Sequence, residues 1–166
     1  SRVRRENLWH RCAWIFVANS AGELYIHQRT TTKDLYPGFW DVAAGGVLGA
    51  AETYDAAASR ELREELGIER APGESIAGVS FADDTNRVIG RAYVCRFDGI
   101  PRLQASEVVR GEWVTAEQLR ALVLVRCFCP DGLAALAAVL EHGEIVTNPA
   151  ARDQLRIALQ SARPQI

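Results

Sequence analysis

Three glutamates close together in the chain, Glu61, Glu64 and Glu65, have the spacing that most directly suggests chemistry. On an α-helix with 3.6 residues per turn, they share an arc of about 100°. Three carboxylates on one helical face repel one another and raise each other's pKa values. Hard divalent cations such as Mg²⁺ and Mn²⁺ prefer oxygen ligands of this kind. The spacing therefore favours a metal site, and the alternative is an acidic face that forms ordinary salt bridges with Arg60 and Arg63.

The helix that would carry these glutamates has recognisable ends in the sequence. Thr53 is a suitable N-cap, and Gly67 stands where a left-handed residue would end the helix. Alanines in its first half and leucines in its second half give a high helix propensity. Ala58, Leu62 and Leu66 share the adjacent arc, and we expect them to pack on a core.

These positions belong to a longer pattern. Gly46 is followed by Glu52 and then by the run Arg60–Ile68, which reads RELREELGI. The glycine, the glutamate and this run resemble the Nudix box of the Nudix hydrolase superfamily, with no position missing. The resemblance implies a metal held by three glutamates and one backbone carbonyl, those of Glu61, Glu64, Glu65 and Gly46. It also implies that Glu52 and Arg60 form an ion pair that holds the preceding loop against the helix.

The size and composition are those of one globular domain. The 166 residues include 19 basic and 21 acidic side chains, and the net charge of −2 gives no electrostatic case for a nucleic-acid or membrane partner. No apolar run approaches a transmembrane length and no secretory signal is visible. We therefore expect a single Nudix hydrolase domain over residues 1–166, located in the cytoplasm, with buried or idle cysteine thiols. Because the chain begins at Ser1 rather than methionine, we expect an artificial boundary or a further N-terminal segment.

The other segments predict a mixed sheet between helices. Strand patterns cover six segments, of which the first two form a hairpin: 9–17, 23–28, 39–44, 75–81, 88–97 and 111–114. Helix patterns cover three late segments: one opening with the capping box Thr115 to Gln118, one from Asp131 to a stop at Gly143, and one from Asn148-Pro149 to about Ser161. These C-terminal helices, over about 115–162, follow strands on both sides of the box helix. The order indicates the α/β (α+β) class, which agrees with the Nudix fold, a mixed β-sheet sandwiched between α-helices.

A second group of residues lies upstream of the box. His10, Arg29, Lys33 and the run Pro37–Trp40 are spaced as in the superfamily branch that is similar in sequence to type I isopentenyl-diphosphate isomerase, much of which consists of hydrolases. Arg29 and Lys33 are credible diphosphate ligands. The guanidinium group of Arg can donate two parallel hydrogen bonds to one phosphate, and the ammonium group of Lys supplies a compact positive charge. The alternative for both is solvation at the surface.

The isomerase activity itself is rejected on two positions. Isomerases of this type carry a catalytic cysteine and a metal-ligating histidine shortly after the tryptophan. This chain has Gly45 and Val47 at those places, and neither side chain can move a proton. His10 matches a metal-site histidine of the isomerases, but a single histidine at a strand start is more often structural.

The resemblance implies hydrolysis of a diphosphate bond in a nucleoside diphosphate linked to another moiety. Mg²⁺ would be the cofactor, with Mn²⁺ as a substitute, and the partner would be this small-molecule substrate. Glu64 or Glu107 would take the proton of the attacking water; a further metal ligand or a solvated loop residue are the alternatives for Glu107. A domain that senses a nucleotide without cleaving it is the rival interpretation, although such domains usually lose box carboxylates. The resemblance also implies a possible homodimer.

Overall fold

The computed structural model describes residues 2–142 and 145–161. Within them, seven strands form one sheet and five helices surround it. The strands are β1 (His10–Ala18), β2 (Leu24–Arg29), β3 (Trp40–Asp41), β4 (Ala44–Val47), β5 (Ser75–Ala82), β6 (Arg87–Arg96) and β7 (Val108–Val114). The helices are α1 (Arg2–Arg5), α2 (Tyr54–Leu66), α3 (Ala116–Leu122), α4 (Pro130–Leu140) and α5 (Pro149–Ser161).

The sheet is mixed, and β1 lies at its centre. β1 runs parallel to β6 along its whole length and antiparallel to β4. β2 pairs antiparallel with β3 and β7, and β5 forms an edge against β6. The predicted hairpin of β1 and β2 exists at its turn, where Ala18 pairs with Leu24. Beyond that turn the two strands separate toward different partners.

The prediction of one strand over 39–44 is wrong, because the chain turns in the middle of that segment. Trp40 and Asp41 pair with β2, whereas Ala44 to Val47 pair with β1. Between the two strands, the backbone N–H of Ala43 donates to Asp41 Oδ1 at 3.4 Å. The break directs the chain from one strand partner to the next and brings Gly45 and Gly46 beside β1.

Alternating residues of β1 build a core on each face of the sheet. Ala13, Ile15 and Val17 pack with the apolar side of α2, which includes Ala58, Leu62 and Leu66. The intervening residues pack against the three late helices, and these residues are Cys12, Trp14 and Phe16. The predicted sandwich of a mixed sheet between helices is therefore confirmed.

The caps of α2 agree with the sequence. Thr53 has an extended backbone, and its side chain accepts a hydrogen bond from the N–H of Ala56 at 3.2 Å. Gly67 is left-handed at φ 62°, and its N–H bonds to the carbonyl of Arg63. The end of α2 also binds the segment between β6 and β7, since the N–H of Arg102 donates to the carbonyl of Leu66 at 2.7 Å.

The Gly67→Ala substitution is expected to destabilise the protein by about 2 kcal/mol. The added Cβ would require a left-handed backbone in a residue that disfavours it, and it would lie 2.7 Å from Arg102 Cβ. Urea unfolding would measure the loss. Gly78→Ala is the matched control, because its Cβ would meet no atom within 4 Å. Equal stability of the two variants would contradict the assigned cap.

The late helices also begin close to the predicted residues. Thr115 and Gln118 form the complete capping box of α3. The side chain of Asn148 caps α5, where it accepts from the N–H of Ala151 at 3.2 Å. α4 begins one residue before the predicted start, with Pro130 in its first turn. The predicted stop at Gly143 lies outside the described residues.

Among the described helices, none combines the length and the apolar character that a membrane crossing requires.

Candidate active site

A cavity of about 530 Å³ lies beside β4 and the face of α2 that carries the box glutamates. Its first wall consists of Gly45 and five residues of the box, which are Gly46, Arg60, Glu61, Glu64 and Glu65. Its remaining walls come from β1, the segment 29–43, the start of β6, the segment before β7 and the start of α4. The fold thus brings residues of the box, Arg29, Lys33 and Glu107 to one cavity.

Glu65 is the most deeply placed carboxylate of the box. Its side chain is 3% exposed, and Oε2 accepts a hydrogen bond from the N–H of Gly45 at 3.1 Å. Lys33 Nζ lies 3.7 Å from Oε1. Burial is the main reason that the pKa of Glu65 is raised to about 7; Lys33 opposes this rise and the charge of Glu61 adds to it. Burial is thus a larger cause than the mutual repulsion that the helical spacing predicts.

Arg60 holds the other box carboxylates together. Its Nε and Nη2 donate to the two carboxylate oxygens of Glu52 at 2.8 and 3.0 Å, so the structure contains the expected ion pair. Its Nη1 contacts Glu61 Oε1 at 2.6 Å and Glu64 Oε2 at 3.2 Å. Glu52 in turn accepts from the N–H of Gly49 at 2.9 Å. These contacts fix the loop before α2, and the Arg60 hydrogen bonds lower the pKa of Glu52 to about 2.

The donor set of the first wall fits a hard divalent cation. Glu61, Glu64 and Glu65 offer carboxylate oxygens, and a Cβ added at Gly46 would lie 2.1 Å from Glu61 Oε1. Only a residue without a side chain leaves that space between backbone and carboxylate. Over residues 2–142 and 145–161, no three His, Cys, Asp or Glu side chains are already arranged around one ion position. Arg60 lies instead between Glu61 and Glu64.

The Gly46→Ala substitution is expected to lower turnover about 100-fold, because a displacement of roughly 1 Å at a reacting site has that effect. The new methyl group would occupy the position of Glu61 Oε1. Steady-state kinetics measure the loss. Gly49→Ala is the control in the same loop, since its Cβ would contact Glu52 at an ordinary 3.7 Å. Wild-type turnover in the Gly46 variant would show that this space is unused.

Glu107 lies in the segment between β6 and β7, which is hydrogen-bonded to the C-terminal end of α2. The N–H of Gln104 donates to the carbonyl of Glu65 at 3.2 Å, and the N–H of Glu107 donates to the carbonyl of Gln104 at 2.9 Å. The Glu107 carboxylate forms an ion pair with Lys33 Nζ. Lys33 therefore lies between two carboxylates, Glu65 and Glu107, and its predicted role as a diphosphate ligand stays a prediction.

A second wall of the cavity contains Arg29 and four polar side chains that the sequence analysis did not identify as site residues. We call it the Asp41–Asp131 wall, and its members are Arg29, Tyr36, Asp41, Asn86 and Asp131. They come from β2, the loop after it, β3, the residue before β6 and the start of α4. Arg29 thus lies close to carboxylates as well as to Lys33, with its Nη1 3.8 Å from Asp41 Oδ2. This wall forms only because strands that are far apart in the sequence pair with one another. No local motif in the sequence predicts it.

His27 is another residue that sequence reasoning missed. It lies inside β2, its side chain is 1% exposed, and its Nε2 is 3.9 Å from Glu65 Oε2. Within the described part of the chain, neither ring nitrogen has a hydrogen-bond partner. Burial lowers the pKa of His27 to about 3, so the imidazole is neutral beside the deepest box carboxylate. In the alternation of side chains along β2, His27 stands at the position of a core residue. The sequence pattern therefore does not indicate a function for it.

A carboxylate-lined cavity on a mixed sheet between helices suits a metal-dependent hydrolase, and the comparisons with known proteins give the same class. The family model for the NUDIX domain matches residues 8–127. The uncharacterized Nudix hydrolase PA4841 of Pseudomonas aeruginosa is 37% identical over 141 residues, which cover 85% of this chain and 83% of that protein. The uncharacterized Nudix hydrolase YfcD of Escherichia coli is 39% identical over 138 residues, with coverage of 82% and 74%.

Solved structures show the same fold. DR0079 from Deinococcus radiodurans is 35% identical with a TM-score of 0.60, and the match covers 69% of this chain and 72% of that one. The MutT protein from Methanosarcina mazei superimposes with a TM-score of 0.62 over 92% and 94% of the two chains, at 21% identity. The chain therefore belongs to the NUDIX domain family, and the predicted enzyme class, a Nudix pyrophosphohydrolase, is confirmed. The particular likeness to the isomerase branch stays a prediction.

Proposed function

We propose that the protein is a Mg²⁺-dependent hydrolase, also active with Mn²⁺, that cleaves a diphosphate bond in a nucleoside diphosphate linked to another moiety. The observation that carries this proposal is the single cavity shared by the three box glutamates, Gly46, Lys33 and Glu107. Carboxylates for a cation and basic side chains for an anion thus line the same space. Isomerase activity has no such support, because Gly45 and Val47 cannot transfer a proton.

Each residue has a separate part in the proposed reaction. Glu61, Glu64, Glu65 and the carbonyl of Gly46 would hold the metal, which when bound supplies charge neutralisation and acidifies water. Lys33, which lies beside Glu65 and Glu107, would bind the diphosphate next to the metal.

Glu64 or Glu107 would take the proton of the attacking water. The two candidates differ in their surroundings, since Glu64 is 46% exposed beside Arg60 and Glu107 is ion-paired with Lys33. Glu107 would therefore have to leave Lys33 before it could accept a proton, whereas Glu64 already faces solvent. Arg29 would have to turn from Asp41 toward the substrate if it contacts a phosphate.

The test is product release from a panel of diphosphates, with and without Mg²⁺ or Mn²⁺. The panel contains ADP-ribose, nucleoside di- and triphosphates, a dinucleoside polyphosphate, a coenzyme-linked diphosphate and isopentenyl diphosphate. We expect metal-dependent cleavage of one class of nucleotide and no rearrangement of isopentenyl diphosphate. Stoichiometric binding of a nucleotide without any product would contradict catalysis and favour the sensing domain.

Two further assignments accompany this proposal. A cytoplasmic location is the first, and fractionation of cells would test it. A homodimer follows from the family resemblance alone, and sedimentation equilibrium would test it.

A further inference from the structure

His27 is a polar residue at a core position of β2. Among the residues that the structure describes, three polar or charged ones are buried, namely His27, Glu65 and Asn86, and the first two are neighbours. Tyr25, two residues before His27 on the same side of the strand, belongs to the apolar core beside α2. An apolar side chain at position 27 would continue that core. The polar ring departs from the pattern that the fold supports, and such departures are expected at functional positions.

The imidazole of His27 is buried without a hydrogen bond. Both ring nitrogens are shielded from solvent, and neither has a hydrogen-bond partner in the described parts of the chain. A buried polar group without a partner lowers the stability of the folded state. The ring is neutral, because burial, together with the positive charges of Arg29 and Lys33, lowers its pKa. A neutral imidazole has one N–H donor, so it can donate to a carboxylate without adding charge to the core.

The carboxylate of Glu65 offers an acceptor to this ring. Its Oε2 lies 3.9 Å from His27 Nε2 and already accepts a hydrogen bond from the N–H of Gly45 at 3.1 Å. A carboxylate oxygen has two lone pairs, so Oε2 can accept a second hydrogen bond. Oε1 instead lies 3.7 Å from Nζ of Lys33, a residue that lines the cavity. The two oxygens thus differ in their surroundings, with Oε2 beside the backbone and His27, and Oε1 on the side of Lys33.

A movement of about 1 Å would turn this contact into a hydrogen bond, because N–H···O distances in proteins are about 2.7–3.2 Å. Carboxylates that bind a metal are commonly held by hydrogen bonds from neighbouring groups, which orient them and strengthen metal binding. We propose that His27 is a positioning residue, which donates from Nε2 to Glu65 Oε2 when a cation is bound and so keeps Oε1 available to that cation. The inference rests on the proposed function, in which Glu65 is a metal ligand.

The experiment measures the affinity for Mn²⁺ alone, which requires neither substrate nor turnover. Electron paramagnetic resonance measures the free ion during a titration and so gives its Kd. His27→Leu removes both ring nitrogens and keeps an apolar group of similar size. We expect this variant to bind Mn²⁺ about 10–100-fold more weakly, with a metal-free Tm at least as high as that of the wild type, because buried polar atoms without partners are removed. A purely structural His27 would give the same Tm result with an unchanged Kd.

Two amide variants separate the contact of Nε2 from the presence of any polar group. The amide nitrogen of Gln reaches roughly the place of Nε2, whereas that of the shorter Asn ends near Nδ1. We expect His27→Gln to keep the Kd for Mn²⁺ within about threefold of the wild-type value, and His27→Asn to weaken binding as His27→Leu does. Ile26→Val is the control on the other face of the same strand, where the side chain packs toward the late helices, and it should leave the Kd unchanged. If His27→Leu does not fold, the comparison of Gln with Asn decides.

The outcomes separate this inference from the proposed function. An unchanged Kd in His27→Leu and His27→Asn, or equal weakening in the Gln and Asn variants, would overturn the role of His27 and leave the metal site in place. Absence of Mn²⁺ binding by the wild-type protein would overturn the inference together with the proposed function. If the affinities differ as expected but no diphosphate is hydrolysed, the role of His27 is supported and the catalytic proposal fails.

Discussion

The Glu64→Gln variant is expected to turn over substrate at least about a hundredfold more slowly than the wild-type protein, with its fold intact. The substitution removes the negative charge of a carboxylate that we propose as a metal ligand and as a candidate general base. Its side chain is 46% exposed, and its ion pair with Arg60 at 3.2 Å is of the surface type. Such pairs contribute only about 0–1 kcal/mol, so the unfolding free energy should hardly change.

Steady-state kinetics and urea unfolding measure these two quantities on the same sample. Glu69→Gln is the matched control, because this glutamate lies just beyond α2 and is exposed. Near-normal turnover in the Glu64 variant would remove Glu64 from the metal site and from proton transfer. In that event, Glu107→Gln becomes the informative substitution for the base.

The second large expected effect is that the stability of the fold depends on both pH and Mg²⁺, because Glu65 titrates and is also a proposed metal ligand. Burial raises the pKa of Glu65 from 4.5 to about 7. Because the pKa is raised in the folded state, the protonated carboxyl group of Glu65 contributes to the unfolding free energy below pH 4.5. This contribution is lost as the pH rises through 7. For the metal-free protein the loss is on the order of 3 kcal/mol. A cation bound to the deprotonated carboxylate would offset it.

We therefore expect Mg²⁺ at about a hundredfold excess over its Kd to raise the Tm at pH 8 by about 5–10 °C. The Glu65→Gln variant should be more stable than wild type without metal at that pH, and it should gain much less from Mg²⁺. Calorimetric melts of both proteins over pH 5 to 9 make the comparison. An unchanged Tm of the wild-type protein at saturating Mg²⁺ would contradict the assigned metal site.

The parts of the fold that the sequence predicts well are determined by short-range patterns. The caps of α2 at Thr53 and Gly67, the ion pair of Glu52 and Arg60 and the capping box of α3 all lie within a few turns of the chain. The sheet is different, because strand partners are set by distant segments. The two strands of the expected hairpin separate after Ala18 and Leu24 because β4 and β7 compete for their edges.

The same distinction applies to the candidate site. Motif spacing predicted the box glutamates and the family resemblance predicted Glu107, and the structure has Glu61, Glu64, Glu65 and Glu107 around one cavity. Asp41 and Asp131 are separated by most of the chain and meet only because β3 and the start of α4 adjoin, with Trp40 bridged to Phe128. His27 has the pattern of a core residue. Only its unsatisfied ring nitrogens and its distance to Glu65 distinguish it.

Metal-dependent hydrolysis of a diphosphate bond is tested most directly by following oxygen from the solvent. The protein would be incubated with ADP-ribose and the other panel nucleotides in water enriched in oxygen-18, with and without Mg²⁺, and the products analysed by mass spectrometry. We predict that one of the two phosphate-bearing products carries a single labelled oxygen, and only when Mg²⁺ is present. Intact nucleotide recovered from the protein under every metal condition would contradict hydrolysis.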